Sequence, residues 1–250
     1  MKKKRYGMVI DLDRCTGCGA CMMACAAENN VPPAEAAATP RTGITWMRVY
    51  RVNNGAPYPE NRTAFIPMLC QQCDNHTPCQ TVCPQNAVEH DPDTGIVGQV
   101  PQRCLGCRYC MAACPYHARY FNWWDPKWPY GMEAALNPAV APRMRGVVEK
   151  CNFCHGRYHA AKAKAAAAGK REIDPADYVP ACVTACPTNA IAFGDLNDES
   201  SPASRLAKAP ESFRMLDKLD TEGKIYFRSE REWVRQIAAA PVPNKGGNRG

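Results

Sequence analysis

This sequence lacks the patterns that mark several common protein classes. Its 250 residues contain no apolar run of about 18 residues or more, so we expect no membrane-spanning helix. The basic start, residues 1–7, leads into acidic and cysteine residues rather than an apolar stretch, so we expect no export signal of the chain's own. A glycine-rich phosphate loop, a nucleophile elbow and a flavin fingerprint are also missing. The sequence therefore predicts a chain without a substrate site of its own, which would take part in an enzymatic reaction only as a subunit of a complex.

Large aliphatic side chains are scarce as well. The hydrophobic fraction is 46%, but much of it consists of Ala, Met and Cys. Metal binding can supply folding free energy that apolar burial does not. We therefore expect a core built partly around inorganic groups, and an apo-chain that is largely unfolded.

Cysteine is the residue that the sequence has in excess. Its sixteen cysteines fall into four groups of four with none left over. In chain order the groups are Cys15, Cys18, Cys21 and Cys25; Cys70, Cys73, Cys79 and Cys83; Cys104, Cys107, Cys110 and Cys114; and Cys151, Cys154, Cys182 and Cys186. The first and third groups read C-x2-C-x2-C-x3-C, and the last three groups end in Cys-Pro. This spacing is typical of ferredoxin-type [4Fe–4S] ligands, of which the fourth binds the partner cluster, so the sequence predicts four clusters and electron transfer.

Zinc and disulfides are the alternative uses of such cysteines. Structural zinc usually takes two pairs separated by a dozen or more residues, whereas the first and third groups pack three cysteines into seven residues. The fourth group has zinc-like spacing when taken alone, but its Cys186-Pro187 ending favours iron–sulfur. Tight groups of cysteines are poor disulfide frameworks. Iron–sulfur ligation is therefore preferred for the whole set.

The formal net charge of +7 suggests an acidic partner such as nucleic acid at first sight. That count treats every cysteine as neutral, whereas metal-bound cysteines are thiolates. Sixteen thiolates subtract sixteen charges and four oxidised cluster cores return about eight, which leaves the loaded protein at about −1. The basic excess balances the clusters, and no nucleic-acid partner is predicted.

Short predicted elements repeat around the cysteines. Strands predicted over 8–13 and 96–100 each lead into an Arg-Cys pair, and the near-identical stretches 84–88 and 187–191 each predict a turn leading into a strand. The remaining expected elements are a helix over 20–27, a loop over 31–40, a strand over 44–52, a long loop over 119–146, a helix over 158–169, short helices near 211–219 and 229–239, and a disordered end over 241–250. The repetition indicates duplication of a ferredoxin unit. Spacing alone leaves two pairing schemes open, either adjacent groups together or a nested scheme of first with fourth and second with third.

Three stretches resemble a known family. They are the run C-T-G-C-G-A-C-M-M-A-C at 15–25, L-C-Q-Q-C-D-N at 69–75, and C-L-G-C-R-Y-C-M-A-A-C-P-Y at 104–116. These stretches are similar to the four-cluster iron–sulfur subunit of the complex iron–sulfur molybdoenzymes, a family that includes subunits of dimethyl sulfoxide, polysulfide and tetrathionate reductases. The resemblance covers about residues 6–230, with all sixteen cysteines in register.

The resemblance implies an α+β fold of two ferredoxin-like modules that are interleaved in sequence. Module A would combine 1–60 with 147–198, module B would span 61–146 with an aromatic loop at 116–130, and 199–250 would form a helical or extended C-terminal tail. It also implies the nested pairing of ligands: Cys15, Cys18, Cys21 and Cys186 for cluster 1; Cys151, Cys154, Cys182 and Cys25 for cluster 2; Cys70, Cys73, Cys79 and Cys114 for cluster 3; and Cys104, Cys107, Cys110 and Cys83 for cluster 4.

The resemblance also implies partners and a location. Cluster 1 would face a large molybdopterin-family subunit, and cluster 4 would face a polytopic quinone-binding membrane subunit, with a multihaem cytochrome c as a further partner. Within the family the nearest likeness is to menaquinone reductase complexes of sulfate reducers; polysulfide-, dimethyl sulfoxide- or arsenate-type reductases are the alternative, and a free soluble polyferredoxin is an alternative of another class. A peripheral place on the inner membrane is expected, with the periplasmic side, reached by co-export, favoured over the cytoplasmic side.

Individual residues add three expectations. Some relatives replace the second cysteine of the third group and carry a [3Fe–4S] cluster, whereas Cys107 predicts a full [4Fe–4S] cluster here, with loss of one iron left as an alternative. Lys150 is predicted either to raise the potential of the neighbouring cluster or to be a solvated surface lysine. Aromatic residues suit a boundary that is apolar on one side and wet on the other, so four are predicted to dock on the membrane partner: Tyr116, Trp123, Trp124 and Trp128. The alternative is that their loop only caps its own domain.

Overall fold

Short strands and helices alternate along the chain, in agreement with the expected α+β class. In a computed structural model, residues 3–39, 41–141 and 143–239 are described. The strands are β1 (Tyr6–Asp11), β2 (Met47–Asn53), β3 (Thr63–Leu69), β4 (Val88–His90), β5 (Val97–Gln99), β6 (Tyr120–Phe121), β7 (Val148–Glu149), β8 (Ile191–Asp195), β9 (Ser212–Phe213) and β10 (Ile225–Arg228). The helices are α1 (Ala20–Glu28), α2 (Pro78–Thr81), α3 (Tyr109–Ala113), α4 (His155–Ala167), α5 (Ala181–Thr184), α6 (Pro202–Ala207) and α7 (Glu232–Ala239). No helix in these three ranges is long and apolar enough to cross a bilayer.

The main sheet joins the two ends of the chain. Its strand order is β8-β1-β10-β9, with β1 antiparallel to β8 and parallel to β10. Met8 and Ile10 on β1 and Phe227 on β10 are completely buried and form the centre of the core. Fully burying a side chain of this size stabilises a fold by about 1.5–3 kcal/mol. The same core cluster includes five buried cysteines: Cys21, Cys25, Cys70, Cys151 and Cys182.

The middle of the chain repeats this arrangement on a smaller scale. Strands β4 and β5 pair antiparallel, as β8 and β1 do, and α2 packs on α3 as α5 packs on α1. In both places a strand leads into one cysteine group, and another cysteine group leads into the paired strand. The duplication predicted from the repeated sequence stretches therefore has a structural counterpart.

Two helices follow the predictions made from local composition. Helix α1 begins at Ala20 and ends at Glu28, against an expected 20–27. Helix α4 begins three residues earlier than expected and ends at Ala167, just before Gly169, whose φ of 67° lies in the left-handed region that glycine favours. The Ala- and Lys-rich sequence of α4 has a high intrinsic helix propensity, which is why composition was a sufficient guide here.

The C-terminal stretch differs from the expected tail. Strand β10 pairs with β1 in the centre of the main sheet, so residues 199–239 are part of the fold rather than an appendage. The helix predicted near 211–219 is wrong, because that stretch contains β9 and a 3₁₀ turn, and Leu216 has a left-handed φ of 51°. The helix predicted near 229–239 is confirmed as α7. The disordered end predicted over 241–250 lies outside the described residues.

A buried ion network ties the start, the middle and the end of the chain together. The Asp74 carboxylate accepts hydrogen bonds from Arg5 and from Lys224, whose side chain is 0% exposed, and lies 3.0 Å from His90 Nε2. Burial by itself would raise the pKa of Asp74, but His90 and Lys224 outweigh it and hold the pKa well below its usual range. Because Asp74 directly follows Cys73, the network also fixes the chain beside a predicted ligand.

Replacing Asp74 by Asn should destabilise the protein, because the buried Lys224 ammonium loses its counter-charge. Removing one partner of a buried pair costs about 3–5 kcal/mol, which should appear as a lower temperature of cluster loss on anaerobic heating. The matched control is Asp125→Asn, which breaks an ion pair whose Asp side chain is 69% exposed and should cost at most about 1 kcal/mol. Equal melting temperatures for the two variants would contradict this interpretation.

Candidate iron–sulfur centres

Four cavities bring all sixteen cysteines together in sets of four. Each cavity has a volume of about 320–340 Å³, including its opening to solvent. Cavity 1 is lined by Cys15, Cys18, Cys21 and Cys186; cavity 2 by Cys25, Cys151, Cys154 and Cys182; cavity 3 by Cys70, Cys73, Cys79 and Cys114; and cavity 4 by Cys83, Cys104, Cys107 and Cys110. Each cavity thus takes three cysteines from one sequence group and the last cysteine from another. Within the described residues, no three His, Cys, Asp or Glu side chains converge closely enough to hold a single metal ion.

Short helices place cysteines in two cavities at once. Helix α1 carries Cys21 to cavity 1 and Cys25 to cavity 2. Since a helix rises about 1.5 Å per residue, a spacing of four residues moves the second sulfur about 6 Å along the axis while keeping it on the same face. Helices α2, α3 and α5 carry the third cysteine of their groups, and the fourth cysteine lies one or two residues beyond the helix end and lines a different cavity. The spacing of the last two cysteines in each group therefore serves two neighbouring cavities.

The C-x2-C loops share an unusual backbone conformation. The residue before the second cysteine has a positive φ in all four groups: Gly17 (73°), Gln72 (51°), Gly106 (72°) and Phe153 (55°). Successive backbone N–H groups in such a turn form a concave nest that attracts anions and is common at iron–sulfur sites. At Gly17 and Gly106 there is also no space for a side chain, because an added Cβ would lie 2.4 Å from the Phe65 ring and from the Gly146 carbonyl oxygen respectively.

The three Cys-Pro turns direct backbone donors at their own sulfurs. Three residues after each cysteine the chain adopts a positive φ, at Asn86 (48°), His117 (50°) and Asn189 (49°). In two of these turns the next amide donates to sulfur: Ala87 N to Cys83 Sγ, and Ala190 N to Cys186 Sγ, both at 3.2 Å. Such N–H donors favour thiolate over thiol and are one of the means by which proteins tune cluster potentials.

These hydrogen bonds lower the pKa of the thiols that accept them. Burial would raise the pKa of Cys83 and of Cys186, but at Cys83 the backbone donors, and at Cys186 the Thr188 hydroxyl with backbone donors, outweigh it and lower the pKa. In the interior, burial raises the pKa of Cys151 to about 12, with Cys70 adding to the rise, and raises that of Cys25 well above its usual value. The inner cavities therefore need a cationic core to hold their ligands as thiolates.

The cavities follow one another in a row. Cys21 of cavity 1 is close enough to influence the Cys25 and Cys182 thiols of cavity 2. Cys151 of cavity 2 and Cys70 of cavity 3 interact in the same way, as do Cys79 of cavity 3 and Cys110 of cavity 4. The order of contact is therefore 1, 2, 3, 4.

Exposure of the cysteines follows this order. Cavities 2 and 3 are lined by buried cysteines apart from Cys114, which is half-buried. The exposed cysteines are Cys18 in cavity 1 and Cys107 in cavity 4. The row of cavities thus opens to solvent at its two ends and is closed in the middle.

The arrangement fits [4Fe–4S] clusters. Each cavity offers four cysteine sulfurs, the ligand set that a [4Fe–4S] cluster requires, and positive-φ loops supply N–H groups beside the anionic ligands. A [4Fe–4S] cluster in such a cavity supplies one-electron redox chemistry.

Two buried side chains lie between cavities 2 and 3. Gln72 donates to the Cys151 carbonyl at 2.8 Å and accepts from Val97 N at 2.8 Å. Lys150 is 1% exposed and donates to the same Cys151 carbonyl at 2.9 Å and to the Val97 carbonyl. The alternative of a solvated Lys150 is therefore wrong, while an effect of its charge on a cluster potential stays a prediction.

The predicted docking aromatics are only partly available at the surface. Tyr116 is half-buried and bonded to Thr221 Oγ1 at 2.6 Å, so it ties the loop to the C-terminal stretch. Trp123 is half-buried and packs edge-on against Phe121, with ring centroids 4.7 Å apart. Trp124 lines a surface cavity, and Trp128 is half-buried. Docking by these four side chains stays a prediction.

Sequence reasoning missed an exposed apolar pair beside cavity 4. Leu105 is 66% exposed and Tyr109 is 65% exposed. Both lie within the third cysteine group, on either side of the exposed Cys107. Both residues lie inside a cysteine motif, and the spacing of the cysteines carries no information about the exposure of the residues between them.

Comparison with known proteins identifies the family. Residues 61–129 match a 4Fe-4S dicluster domain, and residues 6–27 match a 4Fe-4S binding domain. The chain is 51% identical over 240 residues to the menaquinone reductase iron-sulfur cluster-binding subunit of Nitratidesulfovibrio vulgaris, covering 94% of this chain and 92% of the relative. This chain belongs to the family of iron–sulfur subunits of menaquinone reductase- and dimethyl sulfoxide reductase-type complexes.

Other relatives extend the comparison across the family. A relative from Halobacterium salinarum, named as a putative iron-sulfur subunit of dimethyl sulfoxide reductase, is 38% identical, covering 89% of this chain and 78% of the relative. An iron-sulfur subunit of an Hdr-like menaquinol oxidoreductase of Archaeoglobus fulgidus is 36% identical, covering 90% of this chain and 84% of the relative. This family protein therefore binds multiple [4Fe–4S] clusters and transfers electrons within a multisubunit oxidoreductase complex.

A glycine substitution tests whether the nest at cavity 4 is required for loading. Gly106→Ala should abolish binding there, because the added Cβ meets the Gly146 carbonyl oxygen at 2.4 Å. The purified protein should lose about four irons and four sulfides per chain, the content of one [4Fe–4S] cluster.

The control is Gly55→Ala. Gly55 has a similar φ of 73°, but an added Cβ would meet nothing within 4 Å. Gly55→Ala imposes backbone strain of order 1–3 kcal/mol without the steric clash. The iron content of this variant should therefore stay at the wild-type level. Unchanged iron in Gly106→Ala would show that the close packing of the loop is not needed for loading.

Proposed function

We propose that this chain relays electrons through four [4Fe–4S] clusters, one in each cavity, between a molybdopterin-type or derived large subunit and a quinone-handling membrane subunit. The observation that carries the proposal is the row of four cavities, each lined by four cysteines. Two interleaved modules hold the row, with residues 1–60 and 147–198 around cavities 1 and 2 and residues 61–146 around cavities 3 and 4. The nested ligand sets expected from the family resemblance coincide with the four cavity linings.

The chain's own residues space and insulate the clusters. Helices that share cysteines between cavities keep neighbouring clusters close, which favours electron transfer between them. Buried cysteines around the two inner cavities exclude water, and backbone N–H groups directed at Cys83 and Cys186 tune the outer ones.

The two open ends of the row suit entry and exit of electrons. At cavity 1 the exposed Cys18 lies five residues before Met23, which is 71% exposed. At cavity 4 the exposed Cys107 lies between Leu105 and Tyr109. Apolar side chains beside an exposed ligand favour burial in a protein interface. We assign the cavity 1 end to the large subunit and the cavity 4 end, with Trp123, Trp124 and Trp128 nearby in sequence, to the membrane subunit.

A menaquinone reductase complex is the proposed setting. The relative with 51% identity bears that name, and a multihaem cytochrome c would then donate electrons toward menaquinone. The protein would lie on the periplasmic side of the inner membrane. A polysulfide-, dimethyl sulfoxide- or arsenate-type reductase, with flow from quinol outward, is the alternative, since a 38% identical relative is named for dimethyl sulfoxide reductase.

Isolation of the native complex tests this proposal. Detergent extraction should copurify a large subunit and a membrane subunit with this chain, and the chain should carry about sixteen irons and sixteen sulfides. Purification as a loaded monomer without detergent would support a free polyferredoxin instead. Zinc without sulfide would contradict the whole account.

Substitution of the two exposed cysteines distinguishes the ends of the row. Cys107→Ser should convert or remove the cluster in cavity 4 and abolish quinone-linked activity, while the EPR signal of the cluster in cavity 1 stays intact. Cys18→Ser should do the reverse, leaving electron exchange with quinone but blocking exchange with the large subunit. Quinone-linked activity that survived Cys107→Ser unchanged would contradict the assignment of cavity 4 to the membrane end.

A further inference from the structure

A buried guanidinium lies between cavities 3 and 4. Arg119 follows the Cys-Pro turn of the third group and is 3% exposed. It lines cavity 3, and its charge interacts with Cys70 and Cys79 there. It also adjoins cavity 4, because it donates to Gln99, which lines that cavity with Cys83, Cys104, Cys107 and Cys110. One positive charge thus faces ligands of both cavities.

Beyond a hydrogen bond to the Cys110 thiol, this guanidinium has few protein partners. Its Nη2 donates to Gln99 Oε1. Nε and Nη1, which carry three of the five N–H donors of a guanidinium, are buried without a hydrogen-bond partner. In the described part of the chain no carboxylate forms a salt bridge with Arg119. A buried charge without a carboxylate partner is costly, so its counter-charge must come from elsewhere.

Cysteine sulfurs are the available counter-charge. The guanidinium lines cavity 3 together with Cys70, Cys73, Cys79 and Cys114, and no carboxylate of the described residues lines that cavity. A [4Fe–4S] cluster with four thiolates carries a net negative charge that grows by one on reduction, and nearby charge and hydrogen bonds to sulfur set its potential. A fixed cation between two such groups stabilises an added electron on either one.

We propose that Arg119 is a shared positioning residue for clusters 3 and 4, which raises the reduction potentials of both and screens the repulsion between them. The free N–H groups at Nε and Nη1 are the donors available to sulfur. This inference rests on the proposed presence of clusters in cavities 3 and 4. Its consequence is that the last two steps toward the membrane end are tuned together by one side chain.

Potentiometric titration followed by EPR tests the role of Arg119 in the loaded protein. Signals are first assigned to cavities 1, 2, 3 and 4 by their change in Cys18→Ser, Cys151→Ser, Cys73→Ser and Cys107→Ser respectively. Arg119→Gln should then lower the equilibrium constant for reduction of clusters 3 and 4 about tenfold each, or ~59 mV for a one-electron couple. Clusters 1 and 2 should keep their wild-type potentials.

Two further variants separate charge from general disturbance. Arg119→Lys keeps the positive charge and should restore most of the lost potential at both clusters. Arg103→Gln removes a charge from the same module, but Arg103 is 54% exposed and paired with Glu89, so water and salt screen it and the potentials should not move. Two results would overturn the proposal. One is an Arg119→Gln protein in which all four reduction potentials are unchanged; the other is an Arg119→Lys protein in which the potentials of clusters 3 and 4 are as low as in Arg119→Gln.

If Arg119→Gln loses clusters and cannot be titrated, the variant Gln99→Glu provides the test. Gln99→Glu places a carboxylate on the guanidinium while leaving Arg119 present, and should lower the potentials of clusters 3 and 4 together. No shift in that variant would overturn the role of Arg119. A wild-type protein with about eight irons instead of about sixteen would instead refute the four-cluster proposal itself, so the two failures are distinguishable.

Discussion

The structure depends on cysteines that serve neighbouring cavities from one short helix. Helix α1 places Cys21 in cavity 1 and Cys25 in cavity 2, while Cys182 on helix α5 lines cavity 2 and Cys186, just after the end of α5, lines cavity 1. Neither cavity is complete unless both helices are in place. Because metal binding supplies folding free energy, we expect loading of one cavity with its proposed cluster to order the cysteines of the next cavity.

Charge is the second constraint on this arrangement. A cavity loaded with the proposed cluster is anionic, and cysteines of successive cavities lie close enough to influence one another, so cations in the interior offset the repulsion. Lys150 beside cavity 2 and Arg119 between cavities 3 and 4 are both almost completely buried. Lys224, equally buried, is held by Asp74 next to Cys73. The basic excess of the sequence is thus partly interior, and its interior members lie beside cysteine ligands.

Local patterns in the sequence were enough for some features and insufficient for others. The Ala- and Lys-rich stretch was enough to predict α4, because its signal lies within a few residues. The cysteine spacing predicted sixteen ligands, and their binding of clusters stays a prediction. Strand β10 was missed, since its pairing with β1 joins residues more than two hundred positions apart and leaves no local mark. Arg119 was missed for the same reason: the cavities that surround it are built from distant groups. The pairing scheme was left open by spacing and was implied only by resemblance to a family.

The most direct test of the account is redox-poised EPR of Cys25→Ser in the loaded protein. Cys25 belongs by sequence to the first group and by structure to cavity 2. If Cys25 is a ligand in cavity 2, Cys25→Ser should change the same cluster signal as Cys151→Ser and leave the signal altered by Cys15→Ser intact. If Cys25→Ser and Cys15→Ser changed the same signal while the Cys151 signal persisted, the sharing of ligands between cavities would be contradicted.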